Sequence, residues 1–138
     1  GAGVSLYAYL KALPVKVDMI AFGEVDVAAV LPYLSGGNRS ALSDSRFLFH
    51  EGRYTIPDAT APIDAHEEAL AVFRQELQMM NYIIARETGN DTEVVAGMLR
   101  RRKSMLAEES QEFGLSHELI TELPLSQQEE QIGFRREE

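Results

Sequence analysis

No cysteine occurs in the 138-residue chain, so disulfides, thiolate catalysis and cysteine metal sites are excluded together. Positive charge is scarce as well: 13 Lys and Arg stand against 22 Asp and Glu, giving a formal net charge of −9. Nucleic acids and anionic membranes are held by clustered Lys and Arg, so neither is expected as a main partner. No apolar run approaches the roughly 18 residues that a membrane span needs, and no signal peptide is visible. An acidic, soluble protein of the cytoplasm is the expectation. Glycine-rich nucleotide loops, zinc patterns and calcium loops are missing too. With three His and no second ligand at metal spacing, no metal and no other cofactor is expected.

What is present suits a core. Hydrophobic residues make up 45% of a chain whose length fits one domain of roughly 100–200 residues. The chain opens on GAGV without Met, which reads as a processed, tagged or downstream piece of something longer. VSLYAYLKAL repeats apolar residues at helical spacing and stops at Pro14, which predicts a first helix over Val4 to Leu13. VKVDMIAFG then reads as a buried strand bounded by Gly23. A helix is predicted from Asp26 to Leu34, disturbed by Pro32 in its last turn and ended by SGGN. RSAL and SRFLFH read as two short strands around Ser43-Asp44, the second ending at His50.

Glu51 to Ala65 holds two prolines and no steady period, so it reads as an exposed arm. From near Asp64 the strongest helix begins, with a stripe of Leu70, Phe73, Leu77, Met80 and Ile84 and a stop at Gly89. Its other side carries Val72, Met79, Tyr82 and Ile83, and a helix apolar on two sides packs against two things. DTEVVAGMLRRR follows with Asp91 as a candidate N-cap, and AEESQEFG adds a short helix closed by Gly114. The domain is therefore placed at residues 1–123, with 124–138 a polar C-terminal tail that cannot fold alone.

The stretch GEVDVAAVLPYL, Gly23 to Leu34, joins a strand to a helix in the way that many hydrolases use to present a nucleophile, yet it holds no Ser, Cys or Thr. Around it, five phrases in order resemble the Clp protease proteolytic subunit family of the Clp/crotonase superfamily. GAGV resembles the family's glycine-rich turn, GEVDVAAVLPYLSGG stands in the place of its Ser-bearing elbow, and ALSDSRFLFHEG resembles its strand pair ending in His. TGN at Thr88 to Asn90 and LAEESQEFGL at Leu106 to Leu115 resemble its later segments, so the likeness covers about residues 1–120. It implies an α/β, Clp/crotonase-like single domain of short strands flanked by helices, with a long handle-type helix. It also implies assembly as a homo-oligomer or with related subunits, and a Clp-type ATPase as partner. The family has strands upstream of its glycine turn, where this chain begins. Those strands belong to a longer precursor or separate segment, or the sheet forms without them and leaves an edge that favours association.

Carried over residue by residue, the family's triad falls on Val27 for Ser, His50 for His and Arg102 for Asp, with Ala2 and Ala28 as backbone oxyanion donors. Val has no nucleophilic atom, and Arg only donates hydrogen bonds, so it cannot orient an imidazole. Three readings follow. The first is a non-catalytic Clp-peptidase-like subunit with a structural or regulatory role in an oligomer. The second is an active serine peptidase whose nucleophile is misregistered, among Ser35 to Ser45, or supplied by a partner chain. The third is a crotonase-like acyl-thioester enzyme with Glu24 or Asp26 as base. Against the last stands the plain reading of Asp26 as a helix cap. His50 alone at a strand end reads as structural, and His66 and His117 read as surface helix residues. Arg100-Arg101-Arg102-Lys103 reads as a solvated helix end, or more sharply as a contact for an acidic partner.

Overall fold

The computed structural model describes residues 1–52 and 57–124; part of the expected arm, at 53–56, and the expected tail from 125 on lie outside the described residues. Among the described residues, five helices and six strands follow one another along the chain. They are α1 (Ala2–Ala12), β1 (Asp18–Ala21), β2 (Glu24–Asp26), α2 (Val27–Tyr33), β3 (Asn38–Leu42), β4 (Arg46–Leu48), α3 (Ile63–Thr88), α4 (Thr92–Arg100), β5 (Ser104–Leu106), α5 (Ala107–Phe113) and β6 (Glu118–Ile120). One sheet is wholly parallel in the order β1-β3-β6. In the other, β2-β4-β5, β4 runs parallel to β2 and antiparallel to β5. The fold is α/β, as the sequence predicts.

Between the layers lies a core of Val27, Val30, Leu31, Leu34, Phe47, Phe49, Ile84, Val95, Met98, Leu99, Met105 and Leu115. The helices α1 and α2 meet at an unusually close approach. Pro32 has no N–H to give to the carbonyl of Ala28, and a Cβ on Gly3 of α1 would stand 2.7 Å from that oxygen. Glycine is therefore required at position 3, because any side chain would drive α1 off α2. Two corrections concern exposure. The β1 segment is not a buried strand: only Ala21 is buried, while Ile20 is exposed and Phe22 is 61% exposed, since β1 is an edge strand and nothing described covers its outer face. Ile83 does not belong to the free side of α3 either; it is 3% exposed and packs in the core, whereas Val72, Met79 and Tyr82 are exposed.

The long helix α3 ends at Gly89 in a left-handed conformation, φ 74°, where the sequence predicts its stop. Only Ile83, Ile84 and Ala85 of its 26 residues are fully buried. The stripe of Leu70, Phe73, Leu77 and Met80 is half-buried, so the helix, roughly 39 Å long, touches the core mainly through its last turns. Those turns are fastened by Arg39, a buried cation in the middle of β3. Its Nε donates to Leu115 O at 2.7 Å, and Nη2 donates to Gly114 O at 2.9 Å and Glu87 O at 3.3 Å. Nη1 donates to Gly36 O at 3.3 Å and lies 3.9 Å from the Glu87 carboxylate. Glu87 in turn accepts from the Tyr7 hydroxyl at 2.6 Å and pairs with Lys11 at 3.2 Å, which ties α1 to the end of α3.

Gly114, φ 93°, closes α5 where a Cβ would stand 2.6 Å from Thr88 O, so the end of α3 and the end of α5 touch through backbone alone. His117 is not a helix residue, contrary to the sequence reading. It sits just ahead of β6, its Nδ1 accepting the Arg39 N–H at 3.0 Å and its own N–H donating to Arg39 O at 2.7 Å. The strands β2, β5 and β6 are three residues each and have no counterpart in the sequence reading.

Removing the Arg39 guanidinium leaves four carbonyls without this donor and takes a buried countercharge from the Glu87 carboxylate. Arg39→Ala is expected to lower the unfolding free energy by about 3–5 kcal/mol, measured by urea denaturation, while Arg74→Ala on the exposed face of α3 stays within about 0.5 kcal/mol. Acid acts on the same network. Burial opposes ionisation of Glu87, but the hydrogen bonds from Tyr7 and Lys11 outweigh it and hold the carboxyl below its ordinary 4.5. Its stabilisation is therefore complete above pH 4.5 and lost as pH falls through the lowered folded value. Burial, with the Arg39 charge, likewise depresses His117 below 6.5, so its contribution is present above 6.5 and fades as pH falls through its lower folded value. Glu87→Gln is expected to flatten the acid limb of stability against pH below 4.5 and leave the limb above it to His117.

Candidate functional site

The elbow forms where β2 runs directly into α2. Val27, the first helical residue, is 3% exposed and turned into the core. Asp26 takes the N-cap position with extended backbone, φ −73° and ψ 158°, but its carboxylate makes no hydrogen bond to the helix N–H groups. It reaches His50 instead, Oδ1 to Nε2 at 2.8 Å. Strand register explains the meeting: Asp26 is paired with Leu48 across β2 and β4, so His50, two residues on, leaves the same face. The capping reading of Asp26 is thus corrected at the level of the side chain, since a neighbouring imidazole competes for the carboxylate. Signals for this pairing were present, an acid and a His each ending an extended segment, but the register that joins them was not.

The other ring nitrogen is engaged as well. His50 Nδ1 accepts the Gly52 N–H at 3.0 Å, which assigns the neutral ring its proton on Nε2. A triad histidine works the other way round, with Nδ1–H on the orienting carboxylate and an Nε2 lone pair facing the nucleophile. Here the carboxylate occupies the Nε2 side, one residue before Val27. The ring is therefore held in the tautomer that cannot take a proton through Nε2. Both partners are largely solvated, with side chains 36% and 57% exposed, so the pair fixes orientation more than stability.

Arg102 follows the end of α4 with φ 54°, left-handed backbone that is uncommon outside glycine. Together with Leu48, Phe49, His50 and Gly52 it lines a cleft of about 340 Å³. The structure thus brings His50 and Arg102 to one cavity, with Asp26 on His50. Ala2 and Ala28 lie in the first turns of α1 and α2, where backbone N–H groups have no intrahelical acceptor. Those turns adjoin through Gly3 and Ala28 O. Among the described residues none of Ser35, Ser40, Ser43 or Ser45 hydrogen-bonds His50; Ser35 and Ser45 are buried and donate to the carbonyls of Pro32 and Leu42. Glu24 pairs with Arg46 across the strands. His66 lies on α3, and the described residues gather no group of three His, Asp or Glu suited to a metal. No described helix is long and apolar enough to cross a membrane.

The tautomer is directly observable. Long-range ¹H–¹⁵N spectra of the neutral His50 ring are expected to show Nε2 protonated, and Asp26→Ala to weaken that preference without abolishing it, since the Gly52 N–H still faces Nδ1; a ring protonated on Nδ1 in the unaltered protein contradicts the geometry. With fold and site described, comparison with known families is informative: the family model described as Clp protease matches residues 1–123, nine-tenths of the chain. This protein belongs to the Clp protease family.

Proposed function

We propose that this chain is a non-catalytic subunit of the Clp protease family, with a structural or regulatory role in an oligomer of the cytoplasm. One observation carries the reading: the side chain at the elbow is a buried valine, and His50 spends its Nε2 proton on the Asp26 carboxylate next to it. No hydroxyl hydrogen-bonds the ring among the described residues, and position 102 carries a cation where a triad needs an acceptor. Losing a single triad member costs about 10⁴-fold or more in rate, so the loss of two leaves no useful acyl transfer. Residues 1–123 form the domain in this proposal, with further copies, related subunits or a Clp-type ATPase as partners.

Assembly is what the remaining apolar surface supports. Val72, Met79 and Tyr82 lie on one side of α3, with Arg86 stacked 5.5 Å from the Tyr82 ring centre, and this side faces away from the core. Burying a Met or Val side chain is worth roughly 1.5–3 kcal/mol, so two or three from each copy offset a large part of the entropy of association.

Hydrolysis of a small peptide ester tests the first part. The unaltered chain is expected to show none. Val27→Ser with Arg102→Asp is the minimum for any recovery, and adding Asp26→Ala, which removes the carboxylate competing on the Nε2 side so that an acceptor at position 102 can draw the ring proton to Nδ1, should raise the rate further; an unaltered chain whose activity His50→Ala abolishes would falsify the proposal. Light scattering tests the second part. At least a dimer is expected, weakened by Met79→Glu far more than by Arg101→Glu, and a strict monomer at high micromolar concentration removes the basis for assembly. Met79 is the correct probe because charge at the buried Ile83 would unfold the domain instead.

A further inference from the structure

The basic run at the end of α4, Arg100 to Lys103, contains four cations in different settings. Lys103 pairs with Glu109 at 3.0 Å, Arg100 lines a separate cavity between α3 and α4, and Arg101 folds back with its Nη1 about Gly97. Arg102, like Arg100 and Arg101, makes no ion pair among the described residues, in a protein with 22 acidic side chains. It is also the single non-glycine residue with positive φ among those described, at 54°, and it lines the cleft beside His50. Among the described residues that line it, the other polar groups named by the structure are engaged. His50 is engaged at both nitrogens, and the Gly52 and Phe49 N–H groups are given to His50 and Lys103 O. Leu48, half-buried on the same strand face as His50, supplies an apolar wall.

We propose that this cleft binds the C-terminal carboxylate of a peptide, with the Arg102 guanidinium holding the carboxylate and Leu48 against the adjoining apolar side chain. A guanidinium presents parallel N–H donors that match a carboxylate in a bidentate fork, which a lone ammonium does not. One cation with the Asp26 carboxylate nearby suits a single negative charge and disfavours a phosphate dianion. Neutral amides gain less here, because an amide oxygen carries no full charge for the guanidinium to pair with. The inference rests on the non-catalytic reading in one respect: a bound peptide acid stays bound as a ligand and is not a product in transit.

Titration of the full chain with N-acetyl-leucine, N-acetyl-leucinamide and inorganic phosphate, followed by ¹H–¹⁵N NMR at fixed ionic strength, tests it. The acid is expected to shift the Gly52, His50 and Arg102 signals and to bind at least about tenfold more tightly than the amide. Arg102→Asn is expected to lose about tenfold or more, because Asn suits left-handed backbone and removes only the cation, whereas Arg101→Asn stays within about twofold. Amide binding equal to the acid, equal losses in both variants, or phosphate binding more tightly to the same signals would each overturn the proposal. The acid-against-amide comparison uses the unaltered chain and so stands even where a variant misfolds. N-acetyl-leucine methyl ester in a parallel sample separates the two readings: its hydrolysis sinks the non-catalytic assignment, while an intact ester with no binding of the acid sinks this inference alone.

Discussion

Arg39 is the point on which the rest of the structure depends. A guanidinium on a strand, almost wholly withdrawn from water, is tolerable only if its donors are largely used and its charge is balanced. Four hydrogen bonds go to carbonyls at the ends of α3 and α5 and on the turn before β3, with the Glu87 carboxylate balancing the charge. Glu87 then recruits Tyr7 and Lys11 from α1. One cation thereby joins the first helix, the parallel sheet, the base of the long helix and the final strand. The requirement for satisfied donors explains why Gly114 and Thr88 come into backbone contact and why His117 stacks its backbone on Arg39.

Fixing the base of α3 has consequences at both of its ends. Its last turns are buried, and its first two-thirds project with half-buried and exposed apolar side chains. The same scaffold holds β2 and β4 in register, which delivers Asp26 and His50 to one another. A carboxylate placed one residue before the elbow takes the imidazole nitrogen that a nucleophile would need, and Arg102 reverses the charge on the other side of the cleft. In the proposed non-catalytic reading, occupied donors and changed charge remove the chemistry while the strand-to-helix geometry remains.

Long-period features were legible in the sequence. The 26-residue α3 repeats its apolar stripe from Leu70 to Ile84 and stops at a glycine, and α1 stops before Pro14, so tertiary contacts had little to override. Three-residue strands such as β2, β5 and β6 carry too few side chains to show a period of two, and pairing alone defines them. Ile83 and Phe22 went the wrong way for a related reason: apolar character does not say which neighbour arrives, and Ile83 meets α3's core while β1 is left at an edge. The Clp resemblance reached His50 and Arg102 by spacing. Neither the Asp26–His50 bond nor the Arg39 clamp could be found that way, because the latter's carbonyl partners lie 75 and 76 residues along the chain.

A held histidine beside a buried valine makes one claim above all, that no serine in this protein is activated. Intact-mass measurement after exposure to a serine-directed fluorophosphonate probe tests it most directly, since the probe reports an activated hydroxyl without assuming a substrate. An unchanged mass after prolonged incubation is the expected result. Stoichiometric addition of one probe per chain, on any serine, contradicts it.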